Sequence, residues 1–222
     1  MVALLNRKNF IRLAVLIAAS FGSFISANSG FAAPFAQPTD KVDVAKLMAP
    51  NKLKDMTEGD SKAPVTIVEY ASLTCSHCAD YAKETMPTIR EKYIKTGKVY
   101  YIFREFAFDP RATAGFMLAR CAPEDRYFPM VDVLFAKQMD WAAPADALTP
   151  LKQIAKLGGF TDQSFEACLK NQSILEGVNA SLERGKELGV TATPTFFING
   201  DKYEGALSAD EMSNVIDKYL NR

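Results

Sequence analysis

Cys75-Ser76-His77-Cys78 sets two thiols three residues apart and places the only histidine of the 222-residue chain between them. A pair at that spacing can cycle between dithiol and disulfide, form half of a metal site, or staple the backbone. Ahead of it, Val65–Ala71 (VTIVEYA) is a β-branched, apolar run that predicts a buried strand. After it, Tyr81, Met86, Ile89, Tyr93 and Ile94 recur at helical spacing, with a kink expected at Pro87 and a stop at Gly97. A strand feeding CxxC into a helix puts Cys75 at the helix N-terminus. Unpaired backbone N–H groups and the positive dipole end there favour a thiolate. Cys75 is therefore expected to be the exposed nucleophile with a depressed pKa. Cys78, one turn in and facing the core, is expected to be the resolving thiol. His77 adds a donor or a positive charge within reach of the Cys75 sulfur, and Glu69, in a run otherwise apolar, is expected to be buried with a role at the site.

The other uses of this CxxC fit less well. Zinc needs four ligands, and no second CxxC or HxxxH exists; only Cys121, Cys168 and His77, itself inside the motif, could complete a site. No metal and no cofactor are expected. A purely structural Cys75–Cys78 bond would close too small a loop to constrain the unfolded chain. Cys121 and Cys168 fall within helical stretches far from CxxC. They are readable as a structural disulfide, as two buried free thiols, or as a second redox pair that relays to Cys75.

The elements around the motif fall in a definite order. Lys98–Phe106 (KVYYIFREF) predicts a second strand, which completes a βαβ unit. Residues 108–189 carry apolar positions at helical spacing, punctuated by Pro and Gly, and predict an inserted α-helical subdomain. Thr195–Ile198 and Lys202–Glu204 then flank Asn199-Gly200, a strong hairpin signal. Ser208 and Glu211 stand in capping-box positions before a last amphipathic helix. The fold class is α/β, βαβ followed by ββα. A tether is expected over 33–60, with at most a short helix or edge element, a core domain over 61–107 and 190–222, and the insertion over 108–189.

The ends and the balance of charge bear on location and partners. Arg7, Lys8 and Arg12 precede an apolar run, Leu13–Ile25, and small residues follow, so residues 1–32 read as a cleaved secretory signal peptide. Thirteen apolar residues are too few for the ~20 a bilayer crossing needs. Loss of the leader removes three basic residues and no acids from a chain of zero net charge. The absence of a basic stripe argues against a nucleic-acid partner. Hydrophobic residues at 48% and charged ones at 23% are the balance of a globular protein that folds on its own core.

Cys75-Ser76-His77-Cys78 after a strand, Glu69 six residues earlier, the helical insertion and GVTATPTFF before the hairpin together resemble the DsbA-like branch of the thioredoxin superfamily. The resemblance spans about residues 60–220. It implies a thioredoxin fold with a helical insertion and a periplasmic thiol:disulfide oxidoreductase that introduces disulfides into exported proteins. It also implies that Pro194 is cis and lies against the dithiol, that Thr193 contacts the substrate backbone, and that Glu69 is the buried acid beneath the resolving cysteine. The implied partners are reduced, unfolded exported proteins and a membrane quinone reductase of the DsbB kind. Cysteine pairs like Cys121–Cys168 occur in helical domains of such proteins, which favours the structural disulfide. Familiar oxidases of the branch carry proline at the position of Ser76 and valine at that of Thr193; a threonine there is similar to isomerase-type relatives. Those relatives assemble through long N-terminal extensions, and about thirty residues before the first strand imply a monomer here. The rival activities are isomerase or reductase chemistry at the same site, or a chaperone-like binding module with an incidental dithiol.

Overall fold

The computed structural model describes residues 36–222; the expected leader, residues 1–32, lies outside them. The elements in chain order are β1 (Asp40–Lys41), α1 (Val44–Met48), β2 (Met56–Glu58), β3 (Val65–Ala71) and α2 (Ser76–Asp80). The helix begun by α2 continues through a π turn (Tyr81–Thr85), α3 (Met86–Ile89) and a second π turn (Arg90–Ile94). Next come β4 (Val99–Glu105), α4 (Pro110–Cys121), α5 (Tyr127–Ala136), α6 (Gln138–Trp141), α7 (Leu148–Leu157), α8 (Asp162–Leu169) and α9 (Gln172–Glu187). β5 (Thr195–Ile198), β6 (Asp201–Glu204) and α10 (Ala209–Leu220) close the chain.

Among the described residues six strands form one sheet, in the order β1-β6-β5-β3-β4-β2. Only β3 and β4 are parallel, in the register Val65↔Val99 to Ala71↔Glu105, as a βαβ unit requires. β5 runs antiparallel to β3 and turns into β6 through Asn199 (φ 48°) and Gly200 (φ 91°), the left-handed pair a tight hairpin needs. This is a thioredoxin fold with α4–α9 inserted between β4 and β5. Segment 36–60 is more than a tether, because it supplies the strands at both edges of the sheet.

Alternation along β3 builds two cores. Val65, Ile67 and Ala71 pack with Tyr101, Phe103, Phe196 and Ile198 in a cluster that extends to Leu118, Leu134 and Trp141 of the inserted helices. Val68 and Tyr70 face the other way, against Ile102, Phe106, Phe197 and Leu47. Gly185 lets α9 approach that second face, since a Cβ there would lie 2.8 Å from the Phe106 ring. At Pro87, where the sequence predicts a kink, the helix widens instead. The Met86 N–H reaches back five residues to the Tyr81 carbonyl, which makes room for a proline that has no N–H and presses on the preceding turn.

Candidate active site

β3 ends at Ala71, and the segment Ser72–Thr74 turns the chain into α2 with Cys75 as the N-cap residue. Three sets of bonds fix that turn. The Cys75 N–H donates to the Ser72 carbonyl at 3.1 Å. The Thr74 hydroxyl donates to Asp109 Oδ2 at 2.5 Å, and Asp109 in turn caps α4 by accepting from the N–H groups of Arg111 and Ala112. From α6, Gln138 Nε2 donates to the carbonyls of Leu73 and Cys75, each at 2.9 Å.

The second wall of the site is the loop before β5. The Thr193–Pro194 peptide is cis, and the Cys75 Sγ lies 3.2 Å from the Thr193 carbonyl oxygen. The loop is held by the Thr195 hydroxyl on the Ala192 carbonyl (2.7 Å) and by the Gly205 N–H on the Pro194 carbonyl (2.9 Å). Thr193 meets the sulfur in two ways. Its carbonyl accepts from a thiol, and its side chain hydrogen-bonds the sulfur in the sense that favours a thiolate.

The two cysteines, both free thiols, differ sharply. Cys75 is half-buried and its pKa is lowered to about 5. The hydrogen bond from the Cys78 thiol is the main cause, opposed by partial burial. Thr193 and the backbone N–H groups of Cys78 and His77 add to the lowering. Cys78 is buried, and burial, followed by the interaction with Cys75, pushes its pKa far up. One sulfur is poised to be a thiolate while the other keeps its proton.

Glu69 lies on the face of β3 that carries Ile67 and Ala71, 2% exposed. Burial raises its pKa to about 8, while the Tyr101 hydroxyl, donating to Oε2 at 2.5 Å, and the charge of Arg90 pull it down. Its charge is among the causes that raise Cys78, so the carboxyl and the inner thiol are coupled. Ser76 and His77 are exposed. The His77 backbone N–H, placed by the first helical turn, is among the groups that lower the Cys75 pKa.

Cys121 and Cys168 are joined in a disulfide across α4 and α8, with Cα atoms 6.0 Å apart. Among the described residues no three His, Cys, Asp or Glu side chains cluster as a metal site would require. Gln138, Thr74, Asp109 and Tyr101 were missed as site residues by sequence reasoning. Asp109-Pro110 carries a visible helix-start signature, but nothing local shows that Asp109 also holds Thr74, or that Gln138 reaches a loop more than sixty residues earlier.

A CxxC at a helix start, faced by a cis-proline loop on this sheet with helices inserted after β4, defines a thioredoxin-fold dithiol protein. Residues 51–218 match the family described as thioredoxin. A protein of Rickettsia conorii, provisionally named a protein-disulfide oxidoreductase, is 34% identical over 168 residues, covering 75% of this chain and 60% of the relative. The crystal structure of Wolbachia pipientis alpha-DsbA1 superposes with a TM-score of 0.74 at 34% identity, covering 81% of this chain and 97% of that one. BdbD from Bacillus subtilis shares the fold at 20% identity, with a TM-score of 0.69 over 85% of this chain and all of that one. The chain belongs to the DsbA-like branch of the thioredoxin family. It spans about 60% of the length of the curated Rickettsia relatives it matches.

Proposed function

We propose that the protein is a periplasmic thiol:disulfide oxidoreductase that introduces disulfides into reduced, unfolded exported proteins through Cys75 and Cys78. The carrying observation is the opposed pair, a half-buried Cys75 lowered to about 5 beside a buried Cys78 pushed up. At pH 7 a thiolate two units below ambient stabilises the dithiol form by at most about 2.7 kcal/mol, or roughly 60 mV, less what partial solvation of the sulfur takes back. That bias makes the disulfide form the donor.

In the forward step a substrate thiolate attacks Cys75 Sγ of the oxidised protein and the Cys75–Cys78 bond breaks. Cys78 leaves with the electron pair and takes a proton, for which Glu69, protonated at neutral pH with a pKa of about 8, is the source. A second substrate thiolate then attacks the substrate sulfur of the mixed disulfide. The substrate leaves with its new disulfide and Cys75 leaves as the thiolate. Thr193 and Pro194 receive the substrate backbone, and the first turn of α2, with Ser76 and His77, supplies the groups around the sulfur. The Cys121–Cys168 bond has a structural role in the insertion. Re-oxidation falls to a membrane quinone reductase of the DsbB kind, and the protein acts as a monomer with no bound cofactor. Export rests on the leader-like residues 1–32, and among the described residues no helix is long and apolar enough to cross a membrane.

The test runs the protein against two clients, one reduced and unfolded, one with scrambled disulfides. Rapid oxidation of the first with little repair of the second is expected. Repair of the scrambled client without net oxidation would replace this reading with an isomerase. Client binding that persists after loss of both cysteines, with no exchange by the intact protein, would leave only a binding module. In a Cys78→Ala variant, mixed disulfides between Cys75 and clients should accumulate.

A further inference from the structure

Gln138 is a buried side chain that spends both hydrogens of one amide nitrogen on the reactive loop, at 2.9 Å to the Leu73 carbonyl and 2.9 Å to the Cys75 carbonyl. The Leu73 carbonyl sits in the turn between β3 and α2, where neither strand nor helix offers it a partner. The Cys75 carbonyl is the first acceptor of the helix and also takes the Ala79 N–H at 3.2 Å. One neutral amide thus holds both sides of the turn that carries the sulfur.

The aim of Gln138 is itself fixed from the insertion. Lys137 (φ −103°, ψ 17°) interrupts the helix between α5 and α6, so that α6 starts afresh at Gln138. Trp141, fully buried, anchors the other end: its indole N–H donates to the Leu134 carbonyl at 2.9 Å, and its ring packs on Gly115 of α4, where a Cβ would come within 3.1 Å. Arg111 donates to the Ala142 carbonyl just beyond α6. A four-residue helix with this many ties offers its buried amide to the loop with little freedom.

We propose that Gln138 is a positioning residue through which the inserted helices hold the Cys75 peptide in the orientation that surrounds the sulfur with hydrogen-bond donors. The inference rests on the reading of Cys75 as the exchanging thiol. Without the amide, the Cys75 carbonyl keeps only the Ala79 N–H, the buried Leu73 carbonyl loses its donor, and the turn shifts to satisfy it. The backbone N–H groups of His77 and Cys78 and the Thr193 side chain, which favour the thiolate only at short range, then move off the sulfur.

The experiment titrates the Cys75 thiolate by its ultraviolet absorbance, and by its alkylation rate against pH, in the full mature protein. Gln138→Met keeps the volume and removes the donors. Gln138→Leu is measured beside it, so that poor packing in one variant leaves the comparison standing. In both, the thiolate midpoint should rise by about one unit or more, and alkylation at pH 4 should slow about tenfold. The unfolding temperature is recorded separately, because a residue that serves only folding would lower it and leave the midpoint alone. A wild-type midpoint near 5 that is unchanged in the variants overturns this inference by itself. A wild-type midpoint in the ordinary thiol range overturns the reading of the site and this inference with it.

Discussion

Tyr101 and Glu69 stand on adjacent parallel strands, and the tyrosine hydroxyl donates to the buried carboxyl at 2.5 Å. The bond opposes burial, the larger effect, and holds the Glu69 pKa down at about 8. Tyr101→Phe removes it and should move the Glu69 titration upward. Carboxyl chemical shifts followed from pH 5 to 11 would show the displacement, and a midpoint that stays or falls would contradict the assignment. The lost bond should also cost about 1 kcal/mol in denaturant unfolding.

Glu69 should make stability fall as pH rises. Its folded pKa, about 8, is above the unfolded value of 4.5. Below 4.5 both states carry the proton and there is no penalty. Between 4.5 and 8 the unfolded chain releases a proton that the folded one keeps, so stability is lost progressively, up to at most about 5 kcal/mol. Glu69→Gln should flatten this slope and be more stable than wild type at pH 8. Denaturant midpoints at pH 5 and pH 8 on oxidised protein, where neither active-site cysteine titrates, isolate the effect.

Cys75 carries the opposite sign in the reduced protein. Its pKa is lowered from 9.0 to about 5, so its contribution is full above 9 and disappears as pH falls through 5. The same asymmetry sets how the redox potential depends on pH. Below about 5, reduction takes up two protons and the potential should fall about 59 mV per pH unit. Above it, Cys75 remains a thiolate, one proton is taken up, and the slope should halve to about 30 mV. A glutathione series at several pH values would display the break; a constant 59 mV slope up to pH 8 would mean Cys75 titrates as an ordinary thiol.

The Cys121–Cys168 bond spans a sequence separation of 47. By the chain-entropy relation its removal should destabilise the protein by up to about 4 kcal/mol. Replacing both cysteines with alanine and comparing urea midpoints measures this. A similar loss is expected from tris(2-carboxyethyl)phosphine treatment of wild type once Cys121–Cys168 is reduced, measured against protein in which Cys75 and Cys78 are already dithiol.

Much of this molecule was legible because its signals are local. β3 announces itself through a seven-residue run in which five are β-branched or aromatic, the β5–β6 turn through Asn199-Gly200, α10 through Ser208 and Glu211, and the dithiol through its own spacing. What the sequence hid depends on distant partners. β1 and β2 are two and three residues long and mostly polar or half-exposed, so only pairing with β6 and β4 makes them strands. Gln138 looks like any polar helix residue until the turn at Lys137 points it at Cys75. His77 is expected to offer a donor or a positive charge to the sulfur, and its backbone N–H, placed by the first turn of α2, is one such donor.

Both outer strands of the sheet come from the segment ahead of β3, and neither is longer than three residues. On the function proposed above, the protein meets extended polypeptide with unpaired N–H and C=O groups. A long open border would invite such a client to add itself as another strand and stay. With its two borders given to fragments too short to template a ladder, the chain offers a client of that proposed reaction a hold through sulfur and no place in the sheet.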